Sequence, residues 1–146
     1  MTLNIDRFDK MTVNGKYHFR TESSQVNNLN DDTCVKVWKK NRNGMRVPVF
    51  GWIQQIFRHH VPSGVSEDFL YVEWGKRLKE KTSTGLSQVK LDVRGVRKHP
   101  PVVFVNDIVP YNVALLPANI EKVWEDQGDT FVVIDYVRKL GSYKPK

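Results

Sequence analysis

The sequence predicts a mainly β protein: a small barrel of short, mostly antiparallel strands with an N-terminal hairpin and at most one or two short helices. Three observations predict it. Apolar residues alternate in several short stretches at roughly even spacing, the pattern of a small barrel or sandwich. Turn signals separate those stretches, the clearest being Asn14-Gly15, a pair suited to the two positive-φ positions of a type I′ turn. Helical periodicity is scarce, and "ANIEKVWED" (118–126) is the one fair helix candidate.

The elements follow in chain order. "MTVNGKYHF" alternates on both sides of Asn14-Gly15 and reads as a hairpin. "TESSQVNNLNDDT" is polar and aperiodic, a loop or surface arm. "TCVKVWKK" alternates, with Val35 and Val37 on one side and Lys36 and Trp38 on the other, and "NRNG" is a turn. "VFGWIQQIFRHH" (49–60) follows neither a strict alternation nor a helical stripe. It reads as a long bent strand crossing the barrel, with the bend placed at Gly51 and helix as the competing assignment. "DFLYVEWGK" puts Leu70, Val72 and Trp74 on one face and Phe69, Tyr71 and Glu73 on the other. "SQVKLDV" aligns Val89, Leu91 and Val93, while "VRKHPP" is excluded from a central strand because proline donates no hydrogen bond. "VVFVNDIVPYNVALLP" gives two apolar pieces around Asn106-Asp107, and "DTFVVIDYVRKL" is a final strand. The expected organisation is a single domain over 1–146: hairpin and arm over 1–32, barrel over 33–140, and a frayed tail over 141–146.

The chain has 146 residues, 40% hydrophobic and 27% charged, enough apolar material for one packed core and too much for a disordered chain. No run of 18 apolar residues suggests a membrane-spanning helix. Acidic Asp6 and Asp9 stand where a secretion signal has an apolar run. The lone cysteine, Cys34, allows no internal disulfide. These features predict a nuclear or cytoplasmic protein that is not secreted.

Net charge is +7, and its distribution is uneven. Cys34 to Pro100 holds 14 basic and 5 acidic residues, a net of +9, whereas the flanking segments are each at −1. Confined positive charge is the footprint of a polyanionic partner such as nucleic acid. Three clusters carry it: Lys39, Lys40, Arg42 and Arg46; Lys76, Arg77, Lys79 and Lys81; and Arg94, Arg97 and Lys98 with His99. The bland alternative is a solvated basic surface with no specific partner.

Catalytic signatures are missing: there is no Gly-rich phosphate loop, Cys-x-x-Cys pair, nucleophile elbow or His-Glu-x-x-His. Adjacent His59 and His60 on a strand point to opposite faces and cannot easily share an ion, so no metal and no cofactor is expected. A metal-dependent nuclease built on Asp107, Asp129 and Asp135 is a minor alternative without support from spacing. Tryptophans and tyrosines on predicted strands belong mostly to the core. Tyr71, Trp38 and Trp52 are the candidates for a cation-binding cage or a base-stacking platform.

The order "CVKVWKK", "VPVFGWIQQIF", "DFLYVEWGKRL", "VFVNDIVPYNVALLP", "TFVVIDY" resembles a bromo-adjacent homology (BAH) domain, with the matching motifs at Phe50 to Ile56, Val72 to Arg77 and Val105 to Pro110. The preceding "FDKMTVNGKYHFRTESSQVNNLNDDTCVKV" is similar to the segment before the C-terminal β-domain of proteins encoded by fungal and plant DNA transposons of the KDZ type and relatives. The resemblance spans roughly Phe8 to Tyr136. It implies an accessory, non-enzymatic module that binds chromatin, nucleic acid or protein. A protein-interaction module docking a peptide or partner domain by a strand edge is the alternative, and "VNDIVPYNVALLP", bracketed by Pro110 and Pro117, is where such an edge is expected.

Overall fold

The computed structural model describes residues 5–24, 32–62, 64–91, 100–117 and 130–135. The strands are β1 (Ile5–Phe8), β2 (Lys10–Val13), β3 (Tyr17–Arg20), β4 (Cys34–Lys40), β5 (Arg46–His60), β6 (Ser66–Arg77), β7 (Gln88–Leu91), β8 (Val102–Phe104), β9 (Ala114–Pro117) and β10 (Thr130–Ile134). Among the described residues the only helical pieces are two single 3-10 turns, Glu22–Ser24 and Val105–Asp107. The expected helix over 118–126, the third basic cluster (Arg94, Arg97, Lys98, His99), Asp129 and the tail lie outside the described residues.

Eight strands form one antiparallel sheet in the order β1-β5-β6-β7-β10-β9, with β4 added to β5 and β8 to β6, while β2 and β3 form a separate pair. The sheet curls into a half-barrel, the mainly β class expected. At the seam of the curl the Leu115 amide of β9 hydrogen-bonds the Cys34 thiol of β4. The β2–β3 turn is the expected one: Asn14 and Gly15 have φ of 56° and 64°, and the Lys16 N–H donates to the Val13 carbonyl at 3.2 Å. This hairpin inserts fully buried Phe19 into the core.

The irregular pattern of Val49 to His60 has a specific cause. β5 pairs with β6 along Gly51 to His60, and the register slips between Ile53 and Gln55. Gln54 is thus an extra, bulged residue, and the side-chain phase of the strand changes there. Before the slip Ile53 faces the core. After it Ile56, three residues on, faces the same core, which an unbroken period of two forbids. The slip also lies where β5 changes partner on its other edge. Trp52 is the last residue paired to β4, and Ile56 is the first paired to β1.

Gly51 does something different from the expected bend. A Cβ there would stand 2.5 Å from Val72 Cγ1, 2.7 Å from the Glu73 carbonyl oxygen and 2.8 Å from Trp74 Cε3. Glycine is needed for the close approach of β5 to β6, and the break in the ladder falls three residues later.

Two apolar clusters result. The first gathers Phe19, Val35, Val37, Ile53, Ile56, Leu70 and Val72, with Trp74 packed at its side. The second gathers Cys34, Phe50, Trp52, Val89, Val113, Leu115 and Val133. β4 lies between them, so Cys34, Val35, Lys36 and Val37 are all buried. The expected face of Leu70, Val72 and Trp74 is correct, with Trp74 half-buried. β1 has no apolar alternation and is exposed throughout. It is a strand because the second half of β5 offers it an edge.

Deleting Gln54 would leave Ile53 opposite Val72 and Ile56 opposite Leu70 in a plain alternation, with both still facing the core. That deletion is expected to keep cooperative unfolding, and Gln54→Ala stays within about 0.5 kcal/mol of the parent, whereas deleting Gln54 and Gln55 together turns every side chain on one side of the gap to the opposite face and is expected to abolish it. Circular dichroism across a denaturant series checks all three, and a single deletion that loses cooperative unfolding would overturn the bulge.

Candidate nucleic-acid interface

The first basic cluster sits on the β4–β5 hairpin. Its turn is tied by Asn41, whose Oδ1 accepts the backbone N–H groups of Asn43 at 2.9 Å and Met45 at 3.0 Å. The Asn41 N–H also donates to the Met45 carbonyl at 2.8 Å, and Gly44 supplies a φ of +76°. A fixed turn sets the register, and the register places Lys40 directly opposite Arg46. Like charges facing each other across a ladder destabilise it.

The second cluster repeats that arrangement, since Lys76 of β6 is the register partner of Lys90 of β7. Arg77 closes β6, and Lys79 and Lys81 follow on the exposed stretch beyond it. The β5–β6 ladder ends at Gly51–Trp74. Antiparallel geometry then carries the first part of β5 and the last part of β6 past the same end of the ladder, with one cluster on each. Lys39, Lys40, Arg42, Arg46, Lys76, Arg77, Lys79 and Lys81 form no ion pair among the described residues. Arg20, Lys36 and Arg58 are each paired, with Asp32 at 2.7 Å, Asp135 at 2.8 Å and Asp68 at 2.7 Å. Lys90, outside the expected clusters, joins the site through register, which sequence spacing does not reveal.

The three aromatic candidates occupy different places. Trp52 is 3% exposed and packs edge-on to Phe131 at 4.9 Å, so it is a core residue with no free ring face. Tyr71 is half-buried, paired in register with Gln55 and Val102. Trp38 is half-buried opposite Pro48 and does meet cations, but they belong to its own chain: Lys36 Nζ lies 4.5 Å and Arg46 Cζ 5.2 Å from its ring centroid.

Lys36 is the residue that alternation most misleads. The residue is 2% exposed, and its ammonium donates to the Tyr111 hydroxyl at 3.2 Å and pairs with Asp135 Oδ2 at 2.8 Å. A lysine at this depth needs such partners, because an unpaired buried charge is costly. Beside it Val109 donates its N–H to the Lys36 carbonyl at 2.8 Å, and Val37 bridges Ile108. The stretch expected as an open edge therefore lies across the free side of β4, with Ile108, Val109, Val113, Ala114 and Leu115 buried. Between this stretch and the hairpin runs an open groove of about 520 Å³, whose walls include Trp38, Lys39, Arg46, Asn106, Asp107 and Tyr111.

No set of three or more metal-ligating side chains comes together among the described residues. Asp135 is taken by Lys36, and Asp107 is exposed on a 3-10 turn. His60 does bridge two groups, Nδ1 to Ser66 Oγ at 3.0 Å and Nε2 to Asp6 Oδ2 at 2.6 Å. All three are solvent-accessible at the strand end, where the contacts fasten β1 to the hairpin. Burial pushes the Cys34 thiol up from 9.0 to about 12, with the Thr33 hydroxyl pulling slightly the other way. A thiol held protonated in the core is a packing residue and a poor nucleophile. No protein-family model matches the chain, and no curated protein or solved structure is significantly similar to it.

Two predictions come from these buried groups. Asp135→Ala strands the Lys36 ammonium and is expected to cost about 3 kcal/mol in chemical denaturation. Lys36→Met is expected to cost less, because Asp135 keeps 23% side-chain exposure, and the double variant should recover part of the Asp135→Ala loss. For Cys34, above pH 9.0 the unfolded chain releases the thiol proton while the folded chain holds it to about 12. The unfolded state then binds fewer protons, so stability falls as pH rises through that window. Cys34→Ala should flatten the fall, and a thiol reagent should label the native parent only when denaturant is added.

Proposed function

We propose that the chain is a non-enzymatic, BAH-like module that binds nucleic acid or chromatin through the basic end of its sheet. One observation carries the proposal: two ladders hold like charges face to face, Lys40 opposite Arg46 and Lys76 opposite Lys90, past the same end of the β5–β6 ladder. Like charges directly opposite in a ladder cost folding free energy, and for Lys40 and Arg46, which form no ion pair among the described residues, a line of phosphates compensates that cost on binding. The net +9 between Cys34 and Pro100 supports the same partner. The BAH-like assignment is supported by the order of the strand motifs, an origin beside transposon-encoded proteins by the segment from Phe8 to Val37, and a nuclear or cytoplasmic setting by the single cysteine.

A second reading, a protein-docking module, is favoured by a different surface. Toward the other end of the β5–β6 ladder, Phe57 stacks on Phe69 at 5.4 Å and Phe104, 46% exposed, lies tilted against Phe69 at 4.7 Å. Apolar docking there responds weakly to salt.

The test is fluorescence anisotropy with labelled 20-residue oligonucleotides across a salt series. Micromolar or tighter binding at low salt is expected, with log K falling by about 0.9 per phosphate contact on duplex and about 0.7 on single strands. The triple variants Lys39→Ala, Lys40→Ala, Arg42→Ala and Lys76→Ala, Arg77→Ala, Lys79→Ala should each flatten the slope by about 2–3 and leave the melting temperature at or slightly above the parent's, since each removes one member of a like-charge pair. Absence of binding at low salt, or slopes unmoved by both triples, would falsify the proposal.

A further inference from the structure

We infer that the groove beside Trp38 is a base-binding slot, and that the nucleic acid recognised is therefore single-stranded; this rests on the polyanion reading above. The groove holds about 520 Å³ and opens to solvent, room for an unpaired base. Its composition is what an unpaired nucleotide requires. Trp38 offers a π surface, Lys39 and Arg46 offer charge for the adjoining phosphates, and Asn106 and Asp107 offer donors and acceptors for a base edge. Charge complementarity selects the occupant, because the walls carry two cations and the adjoining turn carries Lys40 and Arg42.

The ring is also pre-organised. Buried Lys36, fixed by Asp135 and Tyr111, holds its Nζ 4.5 Å from the Trp38 ring centroid and so braces the indole. Exposed Arg46 sets its guanidinium 5.2 Å from the same centroid. A planar base can take the position of that guanidinium or lie between it and the indole, since arginine stacks on either kind of ring. Duplexes keep their base faces covered by neighbouring pairs and cannot enter such a slot without unpairing. Phosphate contacts alone do not distinguish bases from a bare backbone, whereas the groove does.

The test compares three fluorescein-labelled probes of equal length and charge: oligo(dT), the same backbone with abasic sites throughout, and a duplex. The parent protein should bind oligo(dT) at least about tenfold more tightly than the abasic strand. Trp38→Leu should lose most of that preference while its affinity for the abasic strand and its salt slope stay at the parent's values, and Trp38→Phe should restore part of it. Equal binding of oligo(dT) and the abasic strand by the parent overturns the slot and leaves the polyanion reading standing. Failure of the parent to bind any probe overturns both. The parent's own comparison of oligo(dT) with the abasic strand decides the matter if Trp38→Leu does not fold.

Discussion

One extra residue in β5 governs the architecture. A strand that kept its period of two from Arg46 to His60 could not place both Ile53 and Ile56 in one core, and it would present the same phase to β4 and β1 alike. The slip at Gln54 lets a single strand support β4 along its first half and β1 along its second, while β6 runs along the other edge throughout the change. Glycine at 51 lets β6 come close just before the slip. The curl of the sheet, and with it the approach of β9 to Cys34, depends on this arrangement.

That curl places β4 between two apolar layers, and the burial of β4 in turn explains the electrostatics. Lys36 is drawn inside with its strand, so Asp135 and Tyr111 must meet it. Four residues on, the strand emerges and its lysines meet none of the described acids. The protein thus treats its cations in two ways. Where a lysine is enclosed, a carboxylate is supplied. At the solvent-facing end Lys40 and Arg46 are set opposite one another, and neither forms an ion pair with a described acid. Asp107 stands in the groove wall with Lys39 and Arg46 yet forms no ion pair with either.

Much of this was legible in the sequence. Alternation located β4, β6 and β7, an apolar run located β10, and Asn14-Gly15 fixed the first hairpin because positive φ leaves few residue choices. β5 was legible as a long irregular strand, but its glycine drew attention from the bulge; the spacing of Ile53 and Ile56 was the better signal. β1 left no pattern because an exposed edge strand buries nothing periodic. The basic hairpin was legible as composition, while Lys90 entered through register alone. Trp52 and Lys36 show the limit of alternation from the other side. A period of two says which residues share a face, and it cannot say that a face of β4 opposite a valine stripe is also interior.

The Lys36–Asp135 contact joins residues 99 positions apart. The β4–β5–β6 meander is built from neighbours in sequence and can form while the chain is still being made. During that interval its central lysine has no counter-ion, since the carboxylate belongs to a segment not yet synthesised. The inner layer around Trp38 can therefore reach its final form only after the C-terminal strand arrives.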